Sequence, residues 1–373
     1  MAPVLAAGLM MADAAEAQGV FRASPSFSLT QQYDSNVFST STDPEADFIT
    51  RVSPGVDSEY RTPRWTTTGR YLLDVERFAD HAELNSMDAR QRAAVAVDYR
   101  ATPRVTWAAG AEFWKTRTPG ELNETTGLTF TRAAARRLSA HSSVMRHLTP
   151  LTSGKIDYTV TQDRLAGRTA ASTHDAATGV EHHRSSRDTV SLDYRFREFT
   201  FVPEGAAPAS SATSHAIMLG WTRAVTARMR LSLAAGPRVT NASAAPELSA
   251  SVQYQHVPAD LSLTYARTQV TVIGLAGVAD THSLSARADW GMWSSMRMRL
   301  TPAVFRSVMD GSRTDVYVLT ADLTRPLARG LALDVAIDAS VQRGSLYGRI
   351  ASTSIARRGV LVRLVAGSSS LLW

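Results

Sequence analysis

Apolar and polar residues alternate one by one along most of this chain. Leu248, Ala250, Val252 and Tyr254 alternate with Ser249, Ser251, Gln253 and Gln255; beyond Pro258, Leu261, Leu263 and Tyr265 alternate with Ser262 and Thr264. A period of two marks a strand with one apolar and one polar face, and two such runs joined by a short proline-bearing turn read as a hairpin. The same pattern returns at Val190, Leu192, Tyr194 and Phe196, at Leu284, Ala286, Ala288 and Trp290, and at Leu331, Leu333, Val335 and Ile337.

Eight short connections divide these runs: Arg61–Arg64, Ala101–Arg104, Leu148–Thr152, Arg184–Arg187, Arg223–Ala227, Val257–Asp260, Trp293–Met296 and Arg325–Gly330; five of them contain Pro. Proline fixes φ for a turn and cannot donate within a ladder. Eight turns separate nine hairpins, which predicts an all-β, antiparallel up-and-down barrel of about eighteen strands crossing a membrane, with sixteen as the fallback count. Longer, more polar connections are expected on the other rim, at Asp34–Asp47, Thr118–Thr126, Ala166–Ala176 and Val202–Ala212. Short turns on one side and long loops on the other are the outer-membrane pattern, with both termini on the short-turn, periplasmic side. Trp65, Trp107, Trp221, Trp290 and Trp293 all fall near the short turns, where an interfacial aromatic girdle belongs. Thr125–Leu148 fits the pattern least; Arg132–Ser139 is rich in helix formers and reads as a loop helix or small plug.

The polar positions carry formal charge in many strands, which suits a wet lumen. The residues expected to face inward and line a substrate path are Arg51, Asp57, Glu59, Arg70, Asp74, Arg92, Asp98, Glu112, Asp193, Arg195, Arg197, Arg230, Arg287, Asp289, Arg297, Arg299, Asp322, Asp334, Asp338 and Arg363. Both signs are interspersed. Such charges pair across neighbouring strands and stiffen the wall, and they also make a hydrated, weakly selective path. A lining of one sign would have implied ion selectivity.

Composition narrows the alternatives. The 373 residues include no Cys, which removes disulfides, thiolate metal sites and cysteine nucleophiles. No apolar run is long enough for a transmembrane helix, while barrel strands are only half apolar and escape such scans. The net charge of +6 is spread along the chain without a basic block, so no nucleic-acid partner is expected. Met1–Ala17 has an apolar middle and an Ala15-Glu16-Ala17 cleavage pattern but no Lys or Arg before Arg22, and reads as a signal peptide with the barrel occupying 18–373.

Candidate chemistry is sparse. Asp34, Asn36, Asp43, Glu45 and Asp47 gather oxygen ligands in one outer loop, a candidate for calcium or for bridging lipopolysaccharide; without EF-hand spacing a solvated acidic loop is the favoured reading. His174, Asp175, Glu181, His182 and His183 suggest a metal, yet adjacent histidines on a strand point to opposite faces. No nucleophile elbow, HExxH, P-loop or dinucleotide-binding motif occurs, so no catalytic residue and no cofactor are assigned.

The opening segment, YDSNVF at Tyr33–Phe38, a polar acidic loop, and then D-x-I-x-x-V-S-P-G-V at Asp47–Val56, resembles the start of outer-membrane proteins of the "beta-barrel porin 2" type. That resemblance covers about thirty residues in its motifs, and the repeated hairpins with polar lumens over the rest. It implies an association with exopolysaccharide or capsule assembly, and periplasmic polysaccharide-export components as partners; it carries over no catalytic residue. Past Val360–Ala366 the chain continues GSSSLLW, so Trp373 is an imperfect assembly signal. The expectation is a bacterial outer-membrane channel, surrounded by lipid and lipopolysaccharide, that conducts a large hydrophilic substrate; the polysaccharide comes from the resemblance alone. A structural or surface-interaction barrel with a plugged lumen is one alternative and a general small-solute porin another. A long inward-folding loop would point to the porin, and no loop much above about fifteen residues is evident from the sequence.

Overall fold

The computed structural model describes residues 19–205, 208–292, 295–346 and 354–367. They form one antiparallel sheet of eighteen strands that closes on itself. The strands are β1 (Val20–Asp34), β2 (Asp47–Arg61), β3 (Trp65–Phe78), β4 (Ser86–Thr102), β5 (Val105–Thr116) and β6 (Ala135–Thr149). They continue with β7 (Thr152–Leu165), β8 (Ala170–His183), β9 (Asp188–Val202), β10 (Ser210–Ala224), β11 (Met229–Thr240) and β12 (Ser243–His256). The circuit is completed by β13 (Ala259–Thr271), β14 (Val278–Met292), β15 (Met296–Met309), β16 (Ser312–Ala328), β17 (Leu331–Gly344) and β18 (Ser354–Gly367). Each strand pairs with the next, and β1 pairs both with β2 and, from Ser26↔Gly367 to Asp34↔Gly359, with β18. Closure leaves no strand edge unpaired, which is what a lipid environment demands.

All eight predicted short turns fall between consecutive strands, β2–β3 through β16–β17. Trp293 lies outside the described residues, as do Met1–Gln18 and Ser368–Trp373. The apolar positions point outward: Ile156, Leu192, Ile217 and Leu219 are 53–67% exposed, a burial inverted relative to a water-soluble protein. Near the short turns Trp65 sits 5.5 Å from Tyr99 and 6.4 Å from Trp107 in an outward aromatic cluster. Outward Tyr158, Tyr194 and Tyr265 each hydrogen-bond a neighbouring histidine, His174, His215 and His282, at 2.7–2.9 Å. The phenol and imidazole thereby satisfy one another on a face that offers little water.

The strands hold 12–17 residues, more than the roughly 9–11 that cross a bilayer. They therefore extend past the apolar band. Three expectations about the outer rim need correction. Ala170–Ala176 is the start of β8 and not loop, because its alternation lets it pair with β9 from Ala170↔Val202 onward. The long-loop rim is also uneven: Asn241–Ala242 and Asp310–Gly311 are two-residue turns, built on positive φ at Asn241, Ala242, Asp310 and Gly311. Arg132–Ser139 is not helical. Ala135 begins β6, whose register with β5 (Thr116↔Ala135) competes successfully with local helix propensity.

Candidate functional site: the outer half of the lumen

Strand register puts all of the charged residues expected to line the lumen on the inward face. Most pair across neighbouring strands: Asp57 with Arg70 at 2.6 Å, Arg92 with Glu112 at 2.6 Å, Asp289 with Arg299 at 2.7 Å, and Asp334 with Arg363 at 2.9 Å. Glu59 meets Arg61 at 2.7 Å, and Asp289 also takes Arg287. Asp322 pairs in register with Arg299, and Asp338 with Gly359. Asp98, Asp193, Arg230 and Arg297 share this inward parity at other levels.

Nearer the outer rim two larger networks replace the simple pairs. One joins Arg195 and Arg197 to Asp175 and Glu247, and continues through Arg238 to Asp280 and Arg267. Its centre is the Arg197–Glu247 contact of 2.6 Å between side chains only 4% and 6% exposed. The other runs along β2–β4. Arg51 contacts Glu76 at 2.7 Å and lies 3.7 Å from Asp74, which accepts a 2.8 Å bond from Arg90.

The second network holds a loop inside the barrel. The connection between β5 and β6, residues 117–134, is eighteen residues long and turns inward. At its near end Glu121 accepts bonds from Nε and Nη2 of Arg90 and from the Thr116 hydroxyl, the last at 2.8 Å. Burial pushes the Glu121 carboxyl up, but the Arg90 guanidinium more than offsets this and holds it below the usual carboxylate range. At the far end Arg132 donates to Glu76 at 3.2 Å and lies 4.9 Å over the Phe78 ring. Between these anchors the loop reaches the opposite wall. The backbone N–H of Thr129 donates to Gln342 of β17 at 2.9 Å, and Leu122, Leu128 and Phe130 join one buried cluster with Met309 and Val316.

Gly127 shows how close that approach is. Its φ is +62°, and a Cβ there would stand 2.7 Å from the Phe305 ring and 3.2 Å from Val316. Only glycine meets both conditions. A second connection, residues 272–277, completes the cluster with Val272, Ile273 and Leu275. The Asn123 side chain accepts from the Ile273 N–H at 3.3 Å, and Gly274 bridges to Thr169 beyond β7. Two loops and the inward faces of β6, β7 and β14–β16 thus build an apolar core inside the outer end of the lumen.

Thr118–Thr126, expected as a solvated outer loop, is therefore part of an inward constriction. The sequence showed no loop much above about fifteen residues; this one, at eighteen, is the inward-folding loop it did not reveal. The sequence offered one signal: Leu122, Leu128 and Phe130 are too apolar for a solvated loop. Glu76 and Arg90 extend the inward alternation of Asp74 and Arg92 and are found by following it to the strand ends, whereas Glu121 and Arg132 lie in the loop, where no period assigns a face.

The candidate metal groups are otherwise engaged. Asp34 takes Arg357, and Asp47 accepts from the backbone of Ala79, Asp80 and His81 and from the His81 ring at 2.8 Å. Glu45 holds the other His81 nitrogen at 2.9 Å. Asn36 braces the loop through Thr40 and Ala356. Asp43 is exposed, with φ of +49°. His182 faces Thr152 and His183 faces Thr189, on opposite sides of β8. Glu181 lies 3.6 Å from His183. Among the described residues no group of three or more such side chains is placed to hold a metal ion.

The fold and site define an eighteen-stranded membrane barrel with a charged lumen narrowed near its outer mouth. Among solved structures the chain is similar to the outer membrane protein OpdK from Pseudomonas aeruginosa, at 12% identity over 93% of this chain and 99% of that one, with a TM-score of 0.47. It is similar to OpdQ from the same organism, at 10% identity over 94% and 98%, TM-score 0.46. It is also similar to the siderophore receptor PirA from Pseudomonas aeruginosa, at 6% identity over 93% and 80%, TM-score 0.47. No family model matches the chain, and no curated protein does. The barrel rests on the chain's own strand pairing.

Proposed function

We propose that this protein is a channel of the bacterial outer membrane that admits small polar solutes, its selectivity set by the inward loop 117–134 and the charged wall facing it. The observation that carries this reading is the span of that loop, fixed at Glu121 and Arg132 to β3 and β4 and at Thr129 to β17. A barrel of 16–18 strands is wide enough for an aqueous path, and a strap across it turns a wide opening into a narrow one. The outer-membrane location is supported by closure, by the exposed apolar exterior and by a rim on which every connection is short.

The lumen charges have a role in this reading. Asp57–Arg70, Arg92–Glu112 and Asp334–Arg363 alternate in sign around the wall, so a solute carrying hydroxyl groups finds donors and acceptors at every level. Export of a polysaccharide, the reading drawn from the opening hairpin, would require the loop to leave its buried seat to pass a chain. Nothing in the anchoring of Leu122, Leu128 and Phe130 favours that movement.

Liposome swelling with neutral sugars of increasing size tests the proposal. Monosaccharides should enter vesicles carrying the protein, with a cut-off that moves to larger oligomers when residues 119–131 are replaced by a short polar turn. Equal passage of long oligosaccharides through the unaltered protein would overturn it in favour of a wide export pore. Passage of nothing, before and after loop replacement, would leave the structural barrel as the better reading.

A further inference from the structure

The outside of the barrel carries a feature that conduction does not use. On β5, β6 and β7 the outward-facing Lys115, Arg136 and Arg164 stand directly opposite one another in register. Like charges directly opposite on adjacent strands repel and are destabilising. Lys115 has Asp88 as its carboxylate partner. Among the described residues no carboxylate lies within ion-pairing distance of Arg136 or Arg164. Arg306 and Arg313, at a comparable level on β15 and β16, share Asp315 at 2.8 and 2.7 Å. Arg136 and Arg164 thus differ from that pair in having no shared carboxylate between them.

The row lines a groove of about 830 Å³ on the outer wall, together with Phe113 and Val202. Glu204 also contributes to its lining. The level of the groove is informative. One pleat closer to the membrane centre the same strands present Phe113, Leu138 and Gln162. The cations stand within two residues of the outer strand ends at Thr116, Ala135 and Leu165. That is where the apolar belt gives way to lipid headgroups.

We infer that this groove binds an acylated, phosphorylated glycolipid of the outer leaflet, with phosphate seated across Arg136 and Arg164 and acyl chain against Phe113. Guanidinium forks suit phosphate oxygens, and a bound anion removes the repulsion between Arg136 and Arg164. Several closely spaced cations match a headgroup bearing more than one phosphate better than a zwitterionic lipid. The inference rests on the outer-membrane reading above.

The test uses the folded, detergent-purified barrel, titrated with lipopolysaccharide, enzymatically dephosphorylated lipopolysaccharide, phosphatidylcholine and inorganic phosphate. Binding is read by native mass spectrometry. Lipopolysaccharide should bind, and the dephosphorylated form should bind at least about tenfold more weakly. The double substitution Arg136→Gln and Arg164→Gln should weaken binding about thirtyfold, while Arg313→Gln should leave it unchanged. Equal affinity for the dephosphorylated lipid overturns the proposal without recourse to any variant, as does an unaltered double variant. Inorganic phosphate competing at the same concentration as the lipid would show a free-anion site instead. Channel formation is measured on the same preparations. A protein that conducts but ignores lipopolysaccharide loses only the lipid site; one that fails to insert into bilayers loses the membrane-channel reading on which the site depends.

Discussion

Substitution of Leu128 by Ala tests the role of the inward loop most directly. Leu128 is 2% exposed and packs among Leu122, Phe130 and Val316, so its truncation removes contacts between loop and wall while leaving the strand ladder intact. Buried Leu→Ala changes cost about 2–5 kcal/mol. Applied to loop docking, that range multiplies the undocked-to-docked ratio by roughly thirty to a few thousand. The ionic anchors of Glu121 and Arg132 lie at the loop's ends and do not replace the lost contact in the middle. Single-channel recording in planar bilayers should therefore show bursts of larger steps absent from the unaltered protein, with a matching rise in the size of sugar that interrupts the current. Unchanged step size and unchanged blocker size, in a variant that still shows the heat-modifiable gel migration of a folded barrel, would refute the argument that this loop sets the bore.

Two further outcomes follow from the wall and rim. Glu247→Gln should leave Arg197 and Arg238, 4% and 3% exposed, short of their shared carboxylate. Breaking a buried pair costs about 3–5 kcal/mol, seen as a lower urea midpoint with an unchanged slope; an unaltered midpoint would show that lumen water already screens the network. Hydrogen bonds to Glu45 and then Asp47 raise the His81 pKa above its ordinary 6.5. A raised value means that this clamp contributes fully below the unfolded value and is lost as pH climbs through the higher folded one. An NMR titration of the His81 ring should show the raised midpoint, and protease nicking of residues 35–46 should become faster above it. A ring that titrates at or below 6.5 would contradict the assignment.

The strand count, turns and lumen faces were legible because each is a local property. Pro63, Pro103, Pro150 and Pro258 mark turns by what their rings forbid, Pro326 sits at a register shift just before one, and a period of two assigns a face to every residue once one is known. The constriction was not legible because no period governs it. Thr129 finds Gln342 across 213 positions and Ile273 finds Asn123 across 150, separations at which a single sequence gives no sign of contact. Ala166–Ala176 failed for the opposite reason: small and polar residues such as Ala170, Ala171 and Ser172 look like loop, yet pair readily where neighbouring strands supply the ladder. The outer cation row was hidden similarly, since Lys115, Arg136 and Arg164 become neighbours only through register.

The distance along the chain between the loop and its seat also orders events in time. Residues 117–134 emerge with β5 and β6, but Phe305, Val316 and Gln342 belong to β15, β16 and β17. The seat does not exist until those late strands have joined the sheet, and contacts of such high sequence separation form slowly. Of the cluster that covers the strap's apolar residues, only Ala135 and Leu165 lie on strands close to it in the chain. The bore of the barrel is thus narrowed by a segment from its first half against a wall from its last, so the docking of the strap can accompany or follow the joining of β15–β17 but cannot precede it.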